Sequence, residues 1–159
     1  MRSFNRFNLI FERVTGALIK DGGNAFTGVS RIKQQDIFSV VGDFKEKILS
    51  KFFNTDDEET VFLLGSTGKK SDSGDIDIGV SIVEKEDGVL LTLMKINEAC
   101  AEADIPSYIN PISMNMLHVK YPQPERFCQI DILVTKHPEF AKFFMHSPTP
   151  EESRYKRSP

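Results

Sequence analysis

The sequence predicts an α/β fold of the α+β kind: a mixed, strongly twisted sheet of about four or five strands, helices packed on one face, the other face open. Three observations lead there. Apolar residues recur at helical spacing over residues 35–53 and 90–103. Short apolar runs bounded by turn residues, at 61–64 and 76–82, read as buried strands. Two further β-rich runs, 114–121 and 127–135, are joined through Pro122-Gln123-Pro124-Glu125, which suggests an antiparallel pair.

A chain of 159 residues suits one domain with a core that needs neither disulfides nor a structural metal. The main domain is expected over 35–147, preceded by a helical segment and loop (1–34) and followed by a tail or the start of a helix (148–159). A formal net charge of -3 gives no global basic field for nucleic acid, so a polyanion must be held by a local cluster. Cys100 and Cys128 form no CxxC or Cys/His set, which argues against zinc and for a reducing compartment. Neither a signal-peptide core near Met1 nor an 18-residue apolar run is present, so a cytoplasmic location with no membrane partner is expected.

In chain order, Phe4, Phe7, Phe11, Val14 and Leu18 mark an amphipathic helix over 3–20, weakened at Thr15-Gly16 and broken by Asp21-Gly22-Gly23-Asn24. A loop to Ser30 follows; alternatively, residues 24–32 reach out as a lid or partner-binding arm. Residues 35–53 form the clearest helix, with Ile37, Val40, Val41, Phe44, Ile48, Leu49 and Phe52 inward and Lys45, Glu46, Lys47 and Lys51 opposite. The acids Asp56-Asp57-Glu58-Glu59 read as a solvated turn. The helix over 90–103 is expected to turn Leu90, Leu93, Met94, Ile96 and Ala101 inward and to end at Pro106. A short strand at 107–109 precedes the antiparallel pair. Residues 137–146 read as a short helix whose Phe140, Phe143 and Phe144 pack in the core; they are not interleaved with basic residues as a base-stacking platform would be. Thr149-Pro150-Glu151-Glu152 is a capping box that opens another helix.

The chain is organised around residues 63–80, where an apolar strand stops at Gly65-Ser66, a turn rich in glycine and lysine follows, and Asp75-Ile76-Asp77-Ile78 restarts the strand. On a strand, Asp75 and Asp77 project from one face and Ile76 and Ile78 from the other. Two carboxylates side by side repel unless a cation lies between them. Asp131 stands alone among Phe127, Ile130, Ile132, Leu133 and Val134, a costly place for an unpaired carboxylate. Either it sits at a strand end in water, or it completes the site begun by Asp75 and Asp77. Gln129 shares its face and lies within reach of a nucleotide there. His118, on the Met116, His118, Lys120 face, reads as an ordinary strand histidine, and Arg126 as a water-facing residue of the hairpin connection.

The set Gly65, Ser66, Asp75, Asp77 and Asp131 resembles the DNA polymerase beta-like nucleotidyltransferase superfamily, with local wording similar to the small nucleotidyltransferases of tailed bacteriophages. The resemblance covers residues 35–135. One departure is the spacer: only eight residues, Thr67 to Gly74, separate Ser66 from Asp75. The resemblance implies a polymerase beta palm-like fold and an enzyme that moves a nucleoside monophosphate from a nucleoside triphosphate, ATP among them, to an acceptor hydroxyl with release of pyrophosphate. It further implies two Mg²⁺ ions, or Mn²⁺ in their place, bridged by Asp75 and Asp77, with Asp131 on the ion that activates the acceptor. Gly65 would let the backbone approach the triphosphate, and Ser66 would bind its terminal phosphates. Lys69 and Lys70 either add charge there or are exposed turn lysines. The acceptor stays open between an RNA 3′ end, a protein hydroxyl and a small molecule, and a viral origin would make the cytoplasm that of the host. Two other readings compete: a catalytically silent nucleotide- or protein-binding regulatory module, and a metal-dependent nuclease.

Overall fold

The computed structural model describes residues 25–65, 67 and 71–144. In chain order its elements are β1 (Ile32–Lys33), α1 (Gln34–Lys47), a 3-10 turn (Leu49–Lys51), β2 (Val61–Leu64), β3 (Asp72–Ser73), β4 (Ile76–Ser81), α2 (Val89–Glu102), β5 (Ser107–Ile109), β6 (Met116–Pro122), β7 (Phe127–Thr135) and α3 (Pro138–Phe144). The main sheet runs β2-β4-β7-β6-β5, and β1 pairs with β3 in a small second sheet. Within this sheet β4–β7 is parallel and β2–β4, β7–β6 and β6–β5 are antiparallel, so the sheet is mixed.

The core lies behind the sheet. Ile76, Ile78 and Val80 on β4, Ile130, Ile132 and Val134 on β7, and Leu117, Val119 and Tyr121 on β6 are all buried, and they meet Ile37, Val41 and Phe44 of α1 and Leu93, Ile96 and Cys100 of α2. The alternation of these residues with Asp77, Gly79, Gln129, Asp131, His118 and Lys120 sends the second set to the opposite face. Phe62 packs there too: a Cβ on Gly79 would stand 2.3 Å from the Phe62 ring, so only glycine leaves room for it.

Several expectations are adjusted. The first long helix stops at Lys47 rather than Phe53; the tighter turn after it buries Leu49, and the chain just beyond buries Phe53, the Phe53 N–H reaching the Leu49 carbonyl at 3.0 Å. On α2 the buried stripe is Thr92, Leu93, Ile96, Ala99 and Cys100, while Leu90 and Met94 are exposed and Ala101 is half-buried. Both stripes have helical spacing, and packing against the sheet selects the one that carries Leu93, Ile96 and Cys100. Asp104, at φ +58°, ends this helix, and the Ile105 N–H closes back on the Cys100 carbonyl at 2.8 Å, two residues before Pro106.

Helices do not all share one face. Ala141 of α3 is buried and Lys142 lies over the Phe62 ring, 4.6 Å from its centre, on the face opposite the core. Phe140 and Phe143 are exposed rather than packed inward. The acids 56–59 are exposed, their turn held by Asp57, which accepts from the Glu59 N–H at 3.0 Å and the Thr60 hydroxyl at 2.9 Å. Residues 25–33 lie against the sheet: Val29 bridges Phe127, and the Ser30 N–H donates to the Phe127 carbonyl at 2.8 Å. The expected helix over 3–20 and the capping box at 149–152 fall outside the described residues. Cys100 and Cys128 are buried free thiols; burial pushes them up to about 12 and about 11. No helix among the described residues is long and apolar enough to cross a membrane.

Candidate metal centre

Parallel pairing of β4 with β7 sets Asp77 directly opposite Asp131. Across the hairpin His118 opposes Asp131, Tyr108 opposes His118, and on the other flank Leu64 opposes Asp77. One row across the sheet therefore reads Leu64, Asp77, Asp131, His118, Tyr108, with all five side chains on the face away from the core. Asp75, just before β4, joins from the neighbouring row. One carboxylate oxygen from each of Asp75, Asp77 and Asp131 lies within 4.8 Å of the others. The three aspartates expected from the sequence thus converge, although Asp131 is 54 positions on from Asp77.

Crowding shows in their protonation. Burial foremost, then the hydrogen bond to Asp131 and the charges of Asp77 and Asp131, push the Asp75 carboxyl up to about 8. Burial foremost, and then the Asp131 charge, push Asp77 up to about 7. Carboxyls that resist ionising near neutrality lack positive charge, and a cation would supply it. The donor set is all carboxylate oxygen, which suits a hard divalent ion such as Mg²⁺ or Mn²⁺ and not zinc. The residues therefore fit the ions that the sequence implied.

Each aspartate is held by its surroundings. Asp131, 6% exposed, accepts at one oxygen, Oδ1, from His118 Nδ1 at 2.7 Å and from Gln129 Nε2 at 2.9 Å. Gln129 is oriented in turn by the Ala25 N–H, which donates to its Oε1 at 2.8 Å, and Tyr108 donates to the Ala25 carbonyl at 3.2 Å. The Asp77 N–H donates to the buried Thr67 hydroxyl at 2.9 Å. Thr67 sits in the turn that leaves β2, where its N–H reaches the Leu64 carbonyl at 3.3 Å and Gly65 takes φ +62°, a conformation that other residues adopt only with strain. Arg31 stands at the rim: its Nη2 pairs with Asp72 at 2.9 Å, and its Nη1 lies 3.2 Å from where a Gly74 Cβ would be. The hydrogen bond and charge of Asp72, with a smaller part from Asp75, push this guanidinium further up.

Of the expected phosphate-binding residues, Gly65 is in the turn beside Asp77, and Ser66, Lys69 and Lys70 lie outside the described residues. Gln129 does share the Asp131 face, but it contacts the aspartate itself. His118 is no ordinary strand histidine, because it donates into the centre. Thr67 and Arg31 were missed. Nothing in residue spacing singles out Arg31, whereas Thr67 lies inside the turn already identified. No model of a known protein family matches the chain, and no curated protein sequence does.

Proposed function

We propose that this chain is a divalent-metal-dependent nucleotidyltransferase of the polymerase beta-like kind, with its fold the palm-like form of the mixed sheet. It transfers a nucleoside monophosphate from a triphosphate to an acceptor hydroxyl and releases pyrophosphate. The observation that carries this reading is the convergence of Asp75, Asp77 and Asp131 within 4.8 Å, beside the positive-φ turn at Gly65.

Asp75 and Asp77 would hold both ions, and Asp131 the one nearer the acceptor. When bound, the ions supply positive charge against the triphosphate and ease deprotonation of the acceptor hydroxyl. The chain supplies position. Thr67 fixes the Asp77 backbone relative to the phosphate turn, so the carboxylates and the triphosphate keep one geometry. Gly65, with no side chain, leaves the backbone open to the phosphates, and Ser66 and Lys69 or Lys70 supply a hydroxyl, an amide and charge to them. The acceptor oxygen bonds to the α-phosphorus as the bond from that phosphorus to the pyrophosphate oxygen breaks. Asp131 takes the proton that the acceptor loses.

The test is incubation of the protein with each of the four α-labelled ribonucleoside triphosphates and Mg²⁺ or Mn²⁺, against RNA 3′ ends, protein hydroxyls and small-molecule acceptors. Label transfer with pyrophosphate release is expected from the wild type and background from Asp75→Asn, Asp77→Asn and Asp131→Asn. Metal-dependent triphosphate binding without transfer to any acceptor supports the silent binding module, and cleavage of nucleic acid without triphosphate supports the nuclease.

A further inference from the structure

We infer that His118 is a positioning residue, locked in one neutral tautomer by Asn110, whose single Nδ1–H donates to Asp131 and leaves that aspartate one oxygen for metal. The inference rests on the metal site of the proposed function and adds a device that the three aspartates do not themselves contain.

The lock starts in the loop between β5 and β6. Asn110 Oδ1 accepts from the Ile112 N–H at 2.9 Å and the Ser113 N–H at 3.1 Å. Two amide donors on that atom fix which end of the side chain is oxygen, so the other end, the NH2 group, is the one 3.1 Å from His118 Nε2. A donor facing Nε2 requires a lone pair there. The imidazole proton is therefore on Nδ1, 2.7 Å from Asp131 Oδ1. The ring is also confined: His118 is 8% exposed, and the Tyr108 ring lies 5.1 Å away, centre to centre.

A second oriented donor meets the same oxygen. Gln129 Oε1 is taken by the Ala25 N–H, so Gln129 presents Nε2 to Asp131 Oδ1 at 2.9 Å. Both donors thus converge on Oδ1, so an ion that displaces the proton Asp75 shares with Asp131 meets Oδ2 as the oxygen with no N–H donor on it. Asp131 becomes a one-oxygen ligand with a fixed carboxylate plane. Outer-shell donors of this kind commonly change metal affinity about 10- to 100-fold when removed.

The substitutions that test this differ in where they place a donor. Asn at 118 puts its NH2 nitrogen the same number of bonds from Cβ as His Nδ1. Gln reaches instead toward the position of Nε2, and Ala has no donor. Thermal melts of all four proteins establish folding, Mn²⁺ titration followed by electron paramagnetic resonance reads metal affinity, and ¹⁵N chemical shifts of the metal-free wild type read the tautomer. The expected result is a neutral His118 protonated on Nδ1. Mn²⁺ affinity should fall about 10- to 100-fold in His118→Ala and His118→Gln and recover to within about threefold of wild type in His118→Asn. A proton on Nε2, equal affinity in all four proteins, or equal loss in His118→Asn and His118→Gln overturns the inference. The expected Mn²⁺ order without nucleotide transfer overturns the proposed function and leaves this inference standing. Transfer with a flat Mn²⁺ series overturns this inference alone.

Discussion

Metal binding at this centre is expected to be steeply pH-dependent, because an ion must displace the protons that Asp75 and Asp77 hold when they stand up to about 8 and about 7. At pH 6 Asp75 is almost wholly protonated and Asp77 about nine-tenths so; at pH 8 the fractions are about one half and one tenth. Removing these protons weakens binding at pH 6 compared with pH 8, by roughly 50-fold or more for the coupled pair taken together. The same argument gives the proton count: close to two released per Mn²⁺ at pH 6 and well under one at pH 8.5. Isothermal titration calorimetry in buffers of different ionisation enthalpy measures both quantities at once. Because His118 on β6 and Arg31 at the rim face the same carboxyls, the series is repeated in His118→Asn and Arg31→Gln, which should keep the slope. Asp77→Asn should bind more weakly and release at most one proton. A change in affinity of less than about tenfold between pH 6 and pH 8, or binding at pH 6 without proton release, refutes the crowded-carboxyl account.

Without metal the same groups should make the protein less stable as pH rises. Their folded pKa values lie above the usual 3.8, so their contribution is fully present below about pH 4 and is lost as pH climbs through 7 and 8. The melting temperature in chelator should fall from pH 5 to pH 8.5 and recover with Mn²⁺, and Asp75→Asn should flatten the fall; a melting temperature that rises over that range contradicts the sign. Gly79→Ala drives a methyl group into the Phe62 ring at 2.3 Å and should cost about 1–3 kcal/mol in urea unfolding, with Phe62→Leu in the same chain restoring part of the loss. Thr67→Val keeps the shape but leaves the Asp77 N–H without its acceptor, an expected cost of about 1–3 kcal/mol, together with weaker Mn²⁺ binding that Thr67→Ser restores. Wild-type stability in Thr67→Val would mean that this N–H finds another partner.

Most of the architecture was legible because it rests on periodicity. The strands at 61–64 and 127–135 follow from apolar runs and turn residues with the observed bounds, and the antiparallel pairing expected through residues 122–125 is present with Pro122 still in the strand. The two-residue strands β1 and β3 were not legible, since two residues carry no period. The inward face of α2 was misread because Leu90, Met94 and Ala101 are as apolar as the residues that are buried, and only packing chooses among them. The aspartates were legible as types in an unusual place. Their partners depend on register: Pro122 opposite Phe127 fixes His118 opposite Asp131 four pairs further along, and the sequence, which placed Pro122 in the connection, did not give that register. The Ala25 amide on Gln129 was beyond reach, because it joins positions 104 apart with no pattern between them.

The parallel β4–β7 pair explains why so costly a cluster can persist. Three polar side chains, Gln129, Asp131 and His118, are at most 8% exposed on a face where apolar residues would cost less. Each is satisfied by another, so the arrangement has no orphan to relax around. Behind them Ile76, Ile78, Ile130 and Ile132 are wholly buried. A slip of β7 by one residue would bring its Ile130 and Ile132 to the open face and send Asp131 into the core. Apolar burial on one side of the sheet thus fixes the register that opposes Asp77 to Asp131 on the other. The repulsion between these carboxyls is held in place by the least deformable part of the fold, and that is where an ion could relieve it.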